Sequence, residues 1–184
     1  DTPVVAAPSP LNLGFFPYPH GDVAPVTSDV TYTNRTDETV TLSLSLDVSS
    51  RDGAVPPAEM LSLSPSTLEI GPGETASTTV ALDVTLGDLG LYGGYLVAEA
   101  DGEVATRTPV GFYKEPEMYN LTVTCVASDG TPAGGSSAFH ALNVHDTRVF
   151  LETSNTFTDG VATLRVPPGT YHLMGMLYRY DGHG

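Results

Sequence analysis

Between Thr39 and Val48 the chain alternates without a slip. Val40, Leu42, Leu44, Leu46 and Val48 are apolar, and Thr41, Ser43, Ser45 and Asp47 between them are polar. Side chains of an extended strand point to opposite faces in turn, so this period of two puts all five apolar residues on one side of a sheet. A helix would need apolar residues three and four apart. Hydroxyl and β-branched residues at this density also suit a pleated surface. A strand that is apolar on one face only needs a second layer to cover it, and that requirement points to a sandwich.

The same period recurs from Val26 to Asn34, Met60 to Ser64, Thr67 to Ile70, Ala76 to Val84, Tyr92 to Ala100 and Val104 to Phe112, which with Thr39 to Val48 makes seven strands. Turn formers separate them: Asp52-Gly53, Gly71-Pro-Gly73, Gly87-Asp-Leu-Gly90 and Asp101-Gly102, the last placed as a two-residue hairpin places it. Seven short strands in about 90 residues predict an immunoglobulin-like or fibronectin-type sandwich. Pro109 has no amide to donate, so its strand is expected at a sheet edge or bulged there.

The stretch from Thr106 to Tyr119 ends this pattern, passes through Pro116 and opens a second one. Tyr119, Leu121, Val123 and Cys125 share a face, with Cys125 expected inward as a buried thiol. Strands are expected from Tyr119 to Cys125, Ala138 to Val144, Thr147 to Leu151, Val161 to Val166 and Tyr171 to Tyr180, with turns at Asp129-Gly130, Asp159-Gly160 and Pro167-Pro-Gly169. Residues 1–20 hold Pro3, Pro8, Pro10, Pro17 and Pro19, which remove donors and favour an extended lead-in. Its Leu11, Leu13, Phe15 and Phe16 are expected to pack on the first domain. The predicted organisation is therefore all-β: a lead-in over 1–20, a sandwich over 21–115 and a second sandwich over 116–184. Five strands are few for a closed sandwich, and the chain begins at Asp1 and stops just after a strand, so it is expected to be a piece of a longer protein with its second sandwich incomplete.

Charge narrows the partners. Seven Lys and Arg stand against 22 Asp and Glu, a net −15, and binding a phosphate backbone needs clustered basic residues. No nucleic-acid partner is expected. No apolar run approaches the length of a membrane span, so no membrane partner is expected either.

Chemistry-bearing motifs are sparse. Gly134-Gly-Ser-Ser137 lacks the Gly-x-Ser-x-Gly frame of a nucleophile elbow. His20-Gly21-Asp22 has no serine in a recognisable frame and reads as a surface or packing histidine. His140 and His145 are five apart, which on a strand puts them on opposite faces; His172 faces solvent and His183 lies near the end. No cofactor is expected; a structural calcium stays open, with no ligands to name. Asn34-Arg-Thr36 and Asn120-Leu-Thr122 match the glycosylation pattern. Tyr92, Tyr95, Phe112, Tyr113 and Tyr119 cluster in sequence around the junction and form the candidate interaction surface, against the alternative that they pack internally.

Two resemblances add to this. Phe16-Pro-Tyr-Pro-His20, Val30-Thr-Tyr-Thr-Asn34, Gly71-Pro-Gly73 and Arg107-Thr-Pro-Val-Gly-Phe-Tyr-Lys-Glu115 make residues 11–115 resemble the β-sandwich that follows the catalytic domain in secreted subtilisin-like serine peptidases of actinobacteria. Leu121-Thr-Val123, Asp129-Gly130 with Pro132-Ala133, and Asp159-Gly-Val-Ala-Thr-Leu-Arg-Val-Pro-Pro-Gly-Thr-Tyr171 resemble carboxypeptidase regulatory-like domains, which have a transthyretin-like fold. The resemblance implies an extracellular bacterial protein, a catalytic triad upstream of this chain, and a non-catalytic accessory role that stabilises the enzyme or positions protein substrate. Its partners would be the parent's catalytic domain or that substrate. The alternative is an adhesion or interaction module that binds a partner protein or cell-wall polysaccharide through a strand edge or the aromatic cluster. Oligomeric state is not legible.

Overall fold

The computed structural model describes residues 3–132, 137–154 and 158–177. These contain strands and no helix, and the chain divides into two compact units, Asp1–Pro116 and Glu117–Gly184. The protein is all-β, in two tandem sandwich units.

Among its described residues the first unit holds nine strands: β1 (Val4–Ala7), β2 (Leu11–Phe16), β3 (Val26–Asn34), β4 (Val40–Ser50), β5 (Leu61–Ser64), β6 (Thr67–Ile70), β7 (Thr75–Leu82), β8 (Gly90–Ala100) and β9 (Glu103–Lys114). They form a four-stranded sheet in the order β1-β3-β7-β5 and a five-stranded sheet in the order β2-β9-β8-β4-β6. Two sheets joined in this way make an immunoglobulin-like sandwich. Val30, Tyr32, Val80 and Leu82 of the first sheet meet Leu42, Tyr92, Leu96 and Phe112 of the second in one buried core. Tyr92 and Phe112 stack there with ring centroids 4.6 Å apart and planes 10° from parallel.

Residues 1–20 are more than an extended lead-in. Val4, Leu11, Leu13 and Phe16 are buried in the core, and that burial holds β1 against β3 and β2 parallel to β9. The prolines fall outside these two strands, so they cost the ladders no donor. Polar contacts fix the segment further. Glu115 N donates to Phe16 O at 2.9 Å, Tyr18 N donates to Glu115 Oε2 at 2.8 Å, and His20 Nε2 donates to Phe16 O at 3.0 Å.

Pro109 does not lie on an edge strand, because β9 sits between β2 and β8. Pairing with β2 begins only at Val110, however, so at Pro109 β9 has a neighbour on one side alone. The bulge in this ladder falls elsewhere, between Ala98 and Glu99. The Asp101-Gly102 turn has positive φ at both residues, 53° and 81°, the geometry that matches a two-residue hairpin to strand twist.

The second unit carries β10 (Tyr119–Thr124), β11 (Ser137–Asn143), β12 (Phe150–Ser154), β13 (Val161–Val166) and β14 (Tyr171–Leu177), paired as β10-β13 and β12-β11-β14. Phe139 and Ala141 of one sheet and Ala162 and Val166 of the other are buried. The third strand starts later than its pattern suggests, because Asn143 Oδ1 accepts from His145 N and Asp146 N and turns the chain there. Cys125 lies just past β10 and is half-buried, not fully enclosed.

Candidate functional site

Two of the five aromatic residues expected on a surface are not available to one. Tyr92 and Phe112 are 1% and 2% exposed, because even-numbered residues of β8, and of β9 from Thr106 onward, point into the sandwich. Tyr95 and Tyr113 stand on the opposite face. Tyr119 is exposed but belongs to β10 in the second unit.

The outer face of the five-stranded sheet is built by register. Three rows cross it. In the first, Phe15, Tyr113 and Leu91 are neighbours on β2, β9 and β8. In the second, Asn12, Gly111, Gly93 and Ser49 run from β2 to β4. In the third, Pro109, Tyr95 and Asp47 follow. Phe15 and Tyr113 contact each other with ring centroids 5.5 Å apart. Phe15, Leu91 and Tyr95 are 56%, 52% and 45% exposed, a large apolar presentation for one face.

The middle row forms a floor between walls. Leu91 and Tyr95 are four residues apart, about 13 Å along the strand, and Gly93 between them has no side chain. Two hollows open on this floor: one of about 360 Å³ over Asn12, Gly111 and Phe15, the other of about 330 Å³ over Gly93, Ser49 and Arg51. Leu91 lines both. Neither glycine is required by the backbone, since neither has positive φ. A Cβ on Gly93 would meet nothing within 4 Å, and one on Gly111 only Tyr92 O at 3.7 Å, an ordinary contact. Glycine inside a paired strand weakens it, so two at open positions facing each other mark a place where something approaches the sheet closely.

Among the residues lining the two hollows, Arg51 is the only charged one. Of 22 acidic residues, Asp47 alone lies in these three rows. Arg51 borders the second hollow, and Arg107 stands beside Val97, one step beyond Tyr95 on the outer face.

The other candidates resolve differently. His20 is buried and bonded to Phe16 O, which makes it a packing residue. His140 is buried, whereas His145 and His172 are exposed, and Asp146 pairs with Arg148 at 2.7 Å. No group of three or more His, Cys, Asp or Glu able to hold a metal occurs among the described residues. Most of Gly134-Gly-Ser-Ser137, at 134–136, and His183 lie outside the described residues. Lys114 is buried and donates to Leu86 O and Gly87 O, each at 2.8 Å. Burial lowers its pKa, while Asp88 and Asp83 pull it upward. Its role is to hold the loop before β8. In the second unit a hollow of about 450 Å³ is lined by Tyr119, Leu121, Val166, Pro168, Tyr171 and Leu173 among others.

Asn34 is not a glycosylation site in this fold. It is fully buried; Nδ2 donates to Glu38 O, Ile70 O and Gly71 O at 2.7, 3.0 and 3.1 Å, and Oδ1 accepts from Thr36 N and Thr36 Oγ1 at 2.9 and 2.8 Å.

No protein-family model matches this sequence, and no curated protein sequence does. Solved structures show distant similarity. A putative carbohydrate binding protein from Bacteroides ovatus is 16% identical, with 95% of this chain and 64% of that one covered and a TM-score of 0.47. The CupB2 chaperone of Pseudomonas aeruginosa is 12% identical, with 95% and 100% covered and a TM-score of 0.40. A family 123 glycoside hydrolase from Clostridium perfringens is 15% identical over 56% of this chain, which spans 22% of that enzyme's length, with a TM-score of 0.44.

Proposed function

We propose that this chain is a non-catalytic accessory region of a secreted serine peptidase, and that it works as a binding surface which holds the enzyme against a partner or substrate. The sequence resemblance supplies the parent. The observation that carries the binding role is the outer face of the five-stranded sheet, where Phe15, Leu91 and Tyr95 stand exposed and Tyr113 half-buried around a glycine floor. Exposed apolar groups gathered on one face and bordered by polar residues mark interaction sites.

Two of the strand edges serve that role less well. β5 and β6 are edge strands of four residues each, with Pro57 and Pro65 beside β5 and Pro65 and Pro72 beside β6. Short edges flanked by prolines resist added strands. The second reading, an extracellular adhesion module, uses the same outer face.

Purified chain should leave casein intact; turnover sensitive to a serine-hydrolase inhibitor contradicts the non-catalytic role. In the parent enzyme, Leu91→Ala combined with Tyr113→Ala should slow casein cleavage and leave a short chromogenic peptide unaffected. Equal rates on casein before and after substitution contradict the binding role.

A further inference from the structure

We propose that the trough on the outer face of the five-stranded sheet binds a neutral polysaccharide, laid across β2, β9, β8 and β4 over Gly111 and Gly93. This goes beyond the accessory role by naming a ligand class and its footprint.

The chemistry of the walls and floor selects the ligand. Tyr113 with Phe15, Leu91 and Tyr95 offer apolar surfaces, while Asn12, Ser49 and Arg51 offer hydrogen-bonding groups along the floor and its end. A ligand matching both has apolar faces and polar edges in alternation, which describes a sugar ring: its C–H face packs on an aromatic ring and its hydroxyls reach outward. Two hollows in one row, both lined by Leu91, fit consecutive residues of one chain. Four strands spaced about 4.8 Å apart give the row a length of about 14 Å, enough for a short oligosaccharide and far below a globular interface.

Charge disfavours the charged alternatives. The chain carries −15, which repels polyanionic glycans at long range. The lining of the trough offers a cationic peptide no carboxylate, its one charged residue being Arg51. A neutral ligand is the one that neither the net charge nor the local charges penalise.

The glycines provide a test that separates binding from folding. Gly93→Val and Gly111→Val place a β-branched side chain at paired, outward positions, where it suits the strand but fills the floor. The probes are an array of neutral oligosaccharides of glucose, N-acetylglucosamine, mannose and xylose, with heparin and a tryptic casein digest alongside. Retention of at least one neutral series is expected, weakened at least about tenfold by Gly93→Val, with melting temperature equal or higher. Tyr113→Ala should weaken retention similarly. No neutral glycan retained, retention of heparin or casein peptides instead, or unchanged affinity in both glycine variants overturns the proposal. The glycan site rests on the binding role proposed for the same face, and the two can be told apart: slowed casein cleavage by the Leu91→Ala and Tyr113→Ala enzyme with no neutral glycan retained keeps the accessory role and overturns the glycan site, while glycan retention with unchanged casein cleavage does the reverse.

Discussion

Gly93 and Gly94 are neighbours on β8 with opposite requirements: a Cβ on Gly94 would lie 2.0 Å from the Asp47 carbonyl oxygen, whereas a Cβ on Gly93 would meet nothing within 4 Å. Gly94 faces Val48 across the ladder, and its missing side chain lets β4 and β8 close together. Gly94→Ala should therefore destabilise the protein by about 3 kcal/mol or more, since backbone must move to admit the methyl. Gly93→Ala should be neutral or stabilising by about 0.5–1 kcal/mol, because it only removes glycine's excess freedom in the unfolded chain. Chemical denaturation of both variants checks the pair; equal effects would contradict the geometry.

Asn34 joins the β3–β4 turn to the end of β6 through an amide NH2 whose two hydrogens are shared among the Glu38, Ile70 and Gly71 carbonyl oxygens. Asn34→Ala leaves buried carbonyls and Thr36 without those partners, a cost of about 2–4 kcal/mol. Mass spectrometry of protein secreted from a eukaryotic host should find Asn34 unmodified. A glycan there would show that the turn opens before the sandwich closes.

Inside the sandwich, the Tyr32 hydroxyl and Thr108 Oγ1 are buried without a partner at full hydrogen-bonding geometry. Burial pushes the Tyr32 phenol up to about 12, with the Thr108 hydroxyl pulling the other way. A raised folded-state pKa gives stability that is fully present below the unfolded value near 10 and is lost as pH rises from there toward 12. Tyr32→Phe should change stability at neutral pH by less than about 1 kcal/mol, since it removes an unsatisfied hydroxyl, and should flatten that alkaline decline. Thermal melts between neutral and strongly alkaline pH check both outcomes.

At the acid end the sign reverses. Hydrogen bonds from Arg148, first its side chain and then its backbone, hold Asp146 down to about 2, and Thr131 and Thr85 lower Asp129 and Asp83 in the same way. Their contributions are present above the usual carboxylate range and are lost as pH falls from about 4 toward 2. Asp129 is exposed and Asp83 and Asp146 are solvent-accessible at the surface, so each contribution is small. Asp146→Asn should leave melting at neutral pH nearly unchanged and shrink the acid-side loss.

The strands were legible wherever alternation was clean, as from Val40 to Val48, because a period of two needs no tertiary information. β1 and β2 were not, because prolines on either side of them hide the alternation and β2 pairs with β9 across nearly the whole unit; the packing of Leu11, Leu13 and Phe16 was legible, whereas Phe15, expected to pack with them, is exposed on the other face of β2. Among the aromatics, the signal that sorts Tyr92 from Tyr95 was present: three residues apart on a strand means opposite faces. Grouping them by residue type hid it. Gly93 and Gly111 read as two weak positions in two strands. Their meeting depends on the β8–β9 register and its bulge at Ala98/Glu99, which no single segment encodes.

The most direct test is amide chemical-shift mapping of the isotope-labelled chain titrated with a neutral oligosaccharide from the array. Perturbations should concentrate on Asn12, Ser49, Arg51, Gly93, Gly111 and Tyr113 and vanish in Gly93→Val. Shifts gathered instead on Tyr119, Val166 and Leu173 of the second unit, or none with any neutral oligosaccharide, would contradict the assignment of binding to the outer face of the five-stranded sheet.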